Sequence, residues 1–143
     1  MKHIVITGTS RGMGYEMVKF FAEKGHKILA LSRNDKPVSE LNLDNVTTFS
    51  CDISKPEDIE KVSAFIDAKW EKVDVVINNA GALINKPFEE ISAEEFQKIY
   101  STNVFGVVGL TQKLLTFMKK DSHVVNISTM GGVQGSVKFP GLS

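Results

Sequence analysis

The apolar run Ile4-Val5-Ile6 breaks directly into Thr7-Gly8-Thr9-Ser10-Arg11-Gly12-Met13-Gly14. A buried strand that turns through glycines and at once opens a helix is a frame for a pyrophosphate. Gly8 permits the tight turn, Gly12 lets the backbone approach the phosphates, and Gly14 lets the helix pack close to the strand. The unpaired N–H groups at the helix start, with the positive end of its dipole, favour the anion. The loop therefore predicts a ligand contact set of Gly8, Ser10, Arg11, Gly12, Met13 and Gly14. Glycine turns between strand and helix are common, so this reading needs support from the rest of the chain.

Strand-like and helix-like segments alternate from end to end. Short apolar runs at Ile4–Ile6, Lys27–Leu31, Val46–Phe49, Val73–Ile77 and His123–Ile127 read as parallel strands covered on both faces. A first helix from about Gly12 to Lys24 stops at Gly25. A second starts at Ser54, where Ser54-Lys55-Pro56-Glu57 reads as a capping box with proline in the first turn. The longest helix starts at Ser92, with Glu95 completing a capping box, and continues to about Lys120. Its apolar stripe is Phe96, Ile99, Tyr100, Val107, Leu110, Leu114 and Phe117. The segment Asn34–Asn45 is polar, holds Pro37 and permits at most a short helix. This alternation predicts one domain over residues 1–143, a doubly wound α/β sheet of five parallel strands. The expected order is 3-2-1-4-5.

Composition narrows the partners. Seventeen basic and seventeen acidic residues cancel, with no basic block and no acidic tail, so nothing points to nucleic acid or an anionic membrane surface. No apolar run approaches the ~20 residues that cross a bilayer. The chain opens on a strand, which leaves no room for a signal peptide, and its one cysteine, Cys51, forms no internal disulfide. The expectation is a cytoplasmic protein. Its three histidines, His3, His26 and His123, lack metal-ligand spacing, so no metal site is expected.

Further signals lie at the ends of the strands. Asn78-Asn79-Ala80-Gly81 comes after the fourth strand and reads either as a loop start or as a ligand floor built of Asn79, Ala80 and Gly81. Cys51-Asp52-Ile53-Ser54 comes after the third; Asp52 there accepts a hydrogen bond from an adenine amino group, or else serves the turn before Ser54. Asn126-Ile127-Ser128-Thr129-Met130-Gly131-Gly132 ends the fifth with two hydroxyls and two glycines.

In this order, with Asn103 between the last two, these motifs resemble the short-chain dehydrogenase/reductase family along the whole chain. The resemblance implies a Rossmann-like fold and NAD(P)-dependent interconversion of a carbonyl and an alcohol in a small-molecule substrate. It also implies a catalytic tetrad of asparagine, serine, tyrosine and lysine. Asn103 matches the asparagine, which fixes a water in the proton relay; the competing reading is a core asparagine satisfied by backbone. The serine position falls on Thr129, with Ser128 as its rival. The tyrosine and lysine, expected as Tyr-x-x-x-Lys on a helix after the fifth strand, are not found, and the chain stops at about the place that helix begins. The one such spacing, Tyr15 to Lys19, lies on the first helix beside the pyrophosphate turn and out of reach of a hydride acceptor. The implied enzyme is inactive as this chain. The alternative is a non-catalytic dinucleotide-binding or sensor module.

The second strand ends Leu29-Ala30-Leu31-Ser32-Arg33, with no acid before Asp35 to grip ribose hydroxyls. Arg33, with Arg11, brackets a 2′-phosphate if the two are more than solvated surface charges. That favours NADP over NAD. The apolar fifth strand, with no further strand beside it, predicts a homo-oligomer or else an unsettled tail after Met130.

Overall fold

The computed structural model describes residues 1–135 and Lys138. The elements run β1 (His3–Thr7), α1 (Gly12–Glu23), β2 (Lys27–Ser32), α2 (Lys36–Ser39), β3 (Val46–Ser50), α3 (Pro56–Lys69) and β4 (Val75–Asn78). After a 3-10 turn at Phe88–Glu90 come α4 (Ala93–Tyr100), a π-helical segment (Ser101–Gly106), α5 (Val107–Leu115), β5 (His123–Asn126) and α6 (Gly131–Gln134). All four strand pairs are parallel, and the order is β3-β2-β1-β4-β5. This is the Rossmann-like, doubly wound sheet that the alternation predicts.

Side-chain alternation along the strands divides the core between two faces. Val5, Leu29, Leu31 and Val76 pack with Ile59, Val62 and Ile66 of α3 and Leu110 and Leu114 of α5. Ile4, Ile6, Ile28, Ala30 and Ile77 face the other way, against Val18 and Ala22 of α1. Burying such side chains contributes about 1.5–3 kcal/mol each.

Three sequence expectations are corrected. First, Ser54 does not cap α3. The helix begins at Pro56 with no side-chain cap at Lys55. Ser54 instead turns back on Asp52, whose Oδ1 accepts from the Ser54 amide at 3.0 Å and hydroxyl at 2.6 Å. Second, the long helix is not continuous. The Ser92–Glu95 capping box forms as expected, but six residues of π-helix separate α4 from α5, and α5 ends at Leu115. Gly106, the last π residue, sits where a Cβ would lie 2.7 Å from the Ile53 carbonyl oxygen, so only glycine lets the helix settle on the β3–α3 connection. Tyr100 is 49% exposed and leaves the apolar stripe. Third, β5 is not covered on both faces. Among the described residues it pairs only with β4, and all four of its residues are exposed, Val125 at 40%. The helix expected after β5, from about Gly141, lies outside the described residues.

Candidate cofactor and reaction site

The strand order reverses between β1 and β4, and the crevice outside their carboxyl ends is where ligands bind in open α/β sheets. A small hydrogen-bond cluster locks that junction. The buried Thr7 hydroxyl oxygen accepts from the Asn79 amide at 3.0 Å and the Ala80 amide at 2.9 Å. In return, Asn79 Nδ2 donates to the carbonyls of Thr7 and Gly8, both at 3.2 Å. Gly8 has φ +69°, and a Cβ on it would come within 2.8 Å of Ala80 Cα. Beneath it, a Cβ on Gly14 would overlap the Gly8 carbonyl oxygen. The loop is thus held by backbone contact on both sides, and its open side faces a cavity.

That cavity has a volume of about 630 Å³. The structure brings into its wall Gly8, Ser10, Arg11 and Gly12 from the β1–α1 turn, Arg33 after β2, Asp52 and Ile53 after β3, and Asn79, Ala80 and Gly81 after β4. Two predicted residues are not in the wall: Met13 is exposed, and Gly14 lies beneath Gly8. Six wall residues escaped sequence reasoning, namely Thr7, Leu31, Ser32, Asn34, Cys51 and Thr102. The first five lie within two residues of predicted positions. Thr102 reaches the wall from the π segment, for which the sequence carries no local signal.

Arg11 and Arg33 make no ion pair among the described residues. Their charges are therefore free for an anion. Partial burial opposes the ionised form of Asp52, but the two hydrogen bonds from Ser54, with Lys55 and Arg33 nearby, hold its carboxyl below the usual carboxylate range. Asp52 thus performs the turn chemistry, and its Oδ2 makes no hydrogen bond among the described residues. Burial, reinforced by Asp58 and Asp52, pushes the Cys51 thiol up to about 12. A thiol so placed stays protonated and unreactive.

A second cavity, of about 560 Å³, shares the Asn79–Gly81 wall and collects Asn103, Ser128 and Thr129, together with Asn78, Tyr100 and Asn126. The π segment makes this division, because its consecutive residues Thr102 and Asn103 line different cavities. The Asn103 amide is taken up by backbone: Ala82 N–H donates to Oδ1 at 2.7 Å, and Nδ2 donates to the Ala82 carbonyl at 2.8 Å. The side chain therefore pins the loop after β4. Thr129 Oγ1 accepts from the Gly131 amide at 3.2 Å, whereas the Ser128 hydroxyl makes no hydrogen bond among the described residues. Tyr15 and Lys19 line neither cavity. Lys19 lies over the Tyr15 ring, 5.5 Å from its centroid, and pairs with Glu16 at 3.2 Å.

With this geometry in place, comparison with known proteins is decisive. The family model for short chain dehydrogenases matches residues 2–141. The chain belongs to the short-chain dehydrogenase family. It is similar to the NADPH-dependent 1-acyldihydroxyacetone phosphate reductase of Saccharomyces cerevisiae, at 32% identity over 145 residues, covering 97% of this chain and 48% of that one. A second relative is the NADP-dependent 3-hydroxy acid dehydrogenase of Salmonella typhi, at 31% identity over 135 residues, covering 90% of this chain and 54% of that one. Among solved structures, the 3-ketoacyl-(acyl-carrier-protein) reductase of Brucella melitensis complexed with NADH superposes with a TM-score of 0.89 at 29% identity, over 99% of this chain and 62% of that one. This short-chain dehydrogenase chain spans about half the length of the curated relatives it matches. No described helix is long and apolar enough to cross a membrane.

Proposed function

We propose that this chain is the cofactor-binding portion of an NADP(H)-dependent oxidoreductase that interconverts a small-molecule carbonyl and alcohol in the cytoplasm. The observation that carries the reading is the pair of cavities meeting at Asn79–Gly81, one walled by two arginines with no ion pair among the described residues, the other by hydroxyls and Asn103. The residues fit the cofactor. A Cβ on Gly12 meets nothing within 4 Å, so the turn is open on the side where the amides of the α1 N-terminus receive a pyrophosphate. Arg33 and Arg11 grip a 2′-phosphate through charge-assisted hydrogen bonds, and Asp52 with Ile53 borders the adenine.

Bound NADP(H) supplies or accepts the hydride, and the matching proton must come from or go to a group near the substrate oxygen. Here Thr129, with Ser128 beside it, orients that oxygen. Asn103 holds the loop after β4, and with it the shared wall, in place. Among the described residues lining the second cavity, none has the paired tyrosine and lysine spacing of a general acid/base, so this chain alone orients a substrate but does not complete proton transfer.

The test is turnover. The complete product of the gene, given NADPH and a panel of aldehydes and ketones, is expected to oxidise the cofactor, while the 143-residue chain does not. A complete product that binds NADPH yet turns over no carbonyl would replace this reading with the non-catalytic binding module.

A further inference from the structure

Between the second cavity and α4 the chain runs from Ala82 to Ile91 with only the short 3-10 turn at Phe88–Glu90. A segment with so few backbone ties of its own keeps one place only if side chains hold it. Among the described residues, every hydrogen bond or ion pair that leaves this loop ends on Asn103 or on Glu95. None ends on a strand.

The tie to Glu95 is close, with Lys86 Nζ donating to Glu95 Oε1 at 2.6 Å. Carboxylates also stand at Glu89, Glu90 and Glu94, yet Lys86 pairs with Glu95. The capping box accounts for the choice. Glu95 Oε2 accepts from the Ser92 amide at 3.0 Å, which fixes the carboxylate and leaves Oε1 for the lysine. Lys86, and after it the Ser92 amide, hold the Glu95 carboxyl below the usual carboxylate range. The two side chains are 43% and 25% exposed, so salt weakens the contact.

Phe88 adds an edge-on contact with Phe96 of α4, the ring centroids 6.0 Å apart. Each of these anchors lies on α4 or on the π segment, so loop and helix form one unit. That unit borders the reaction site. Asn103 lines the second cavity, and Gly81, next to Ala82, lines both cavities. Among the described residues the Asn103 amide bonds only to Ala82, so its orientation follows the loop.

We propose that the Lys86–Glu95 ion pair is a salt-sensitive latch: it positions the loop after β4 and, through Ala82, the Asn103 amide and the wall common to both cavities. Lys86 and Glu95 are thus positioning residues. Their effect on turnover rests on the oxidoreductase reading, whereas their effect on the loop is measurable without a substrate.

The experiment uses the complete gene product with Lys86→Met, Lys86→Arg and Glu95→Gln, at about 50 mM and about 1 M NaCl. Exchange of the Ala82 amide, which donates to Asn103 Oδ1, reports the loop. In low salt, Lys86→Met and Glu95→Gln should quicken it about two- to fivefold, the range such an ion pair supports. The Val5 amide of β1 should not change. Glu95→Gln keeps an acceptor for the Ser92 amide, so uncapping of α4 does not mimic the effect. Lys86→Arg, which keeps the charge, should restore the parent rate. In high salt the parent should quicken while the neutral variants do not, so that all converge, and kcat should fall and converge in the same order. Equal Ala82 exchange in parent and Lys86→Met at low salt overturns the latch. So does a difference that persists undiminished in high salt, which marks lost packing instead of lost charge. Ala82 exchange that responds as expected while kcat does not overturns the positioning of the site. If the parent turns over no carbonyl, the oxidoreductase reading fails, and Ala82 exchange with its salt dependence still decides the latch.

Discussion

Replacing Gly14 by alanine tests the architecture of the phosphate turn. A Cβ at this position would overlap the Gly8 carbonyl oxygen, approach the Gly8 carbonyl carbon to 2.8 Å and reach Asn79 Nδ2 at 2.7 Å. The first two atoms are backbone, so they cannot swing aside. The third makes two of the four hydrogen bonds, 3.2 Å each, that lock β1 to the loop after β4. Relief requires α1 to move outward, which disturbs Val18 and Ala22 against the sheet. Overpacking costs about 1–3 kcal/mol, and losing the two Asn79 bonds costs about 1 kcal/mol each. Gly14→Ala should therefore destabilise by about 3–5 kcal/mol, a large share of a typical total of about 5–15 kcal/mol. Gly12→Ala is the internal control. Its Cβ meets nothing within 4 Å, but φ is +60°, which costs an alanine about 1–2 kcal/mol. Equilibrium urea unfolding of the two variants and the parent measures the difference. A Gly14→Ala protein no less stable than the Gly12→Ala protein would refute the close-packing argument.

Three further outcomes are expected. Burial lowers the His3 pKa, Lys72 and Lys27 add to the shift, and Asp74 opposes it. The fold therefore holds His3 neutral, and stability should fall as pH drops below about 6.5 through its lowered value. Asp74, which the His3 amide and Lys72 keep below the usual range against its own burial, adds a loss only below about pH 3.9. His3→Gln should flatten the upper part of that slope, and an unchanged slope between neutral and mildly acid pH would exclude His3 as its source. With its thiol at about 12, Cys51 should resist iodoacetamide in the folded protein and react on unfolding; rapid labelling under native conditions would contradict the burial. The outer β5 edge, unpaired among the described residues and with Val124, Val125 and Ile127 exposed, should make the 143-residue chain self-associate, and sedimentation showing a monomer across a broad concentration series would exclude it.

Much of the fold was legible because its signals are local. The five apolar runs, their order and the glycine turn at Gly8–Gly14 each need only a few neighbouring residues, and each appears where expected. The failures share a cause, which is competition from residues distant in sequence or from a better local partner. Ser54 has the spacing of a helix cap, yet Asp52 offers its hydroxyl a 2.6 Å acceptor. The chain from Ser92 to Lys120 reads as one helix, yet settling Gly106 on the Ile53 carbonyl accompanies a π segment that no local propensity announces. That segment also carries Thr102 into the first cavity unforeseen. The exposed edge of β5, by contrast, is legible from topology, because β5 is the last strand in the expected order. The partner of Asn103, Ala82, lies 21 residues away and is visible only in three dimensions.

On the proposed function, the cavity above Gly8–Gly14 holds NADP(H), with Arg33 reading the 2′-phosphate. Calorimetric titration of NADPH and NADH into the parent and the Arg33→Asp variant tests it most directly. A charge-assisted contact of about 1.5–3 kcal/mol corresponds to about 10–100-fold in affinity. The parent should favour NADPH by a ratio of that order, and Arg33→Asp should abolish the preference with little effect on NADH. NADH binding as tightly as NADPH, or a preference that survives Arg33→Asp, would contradict the account.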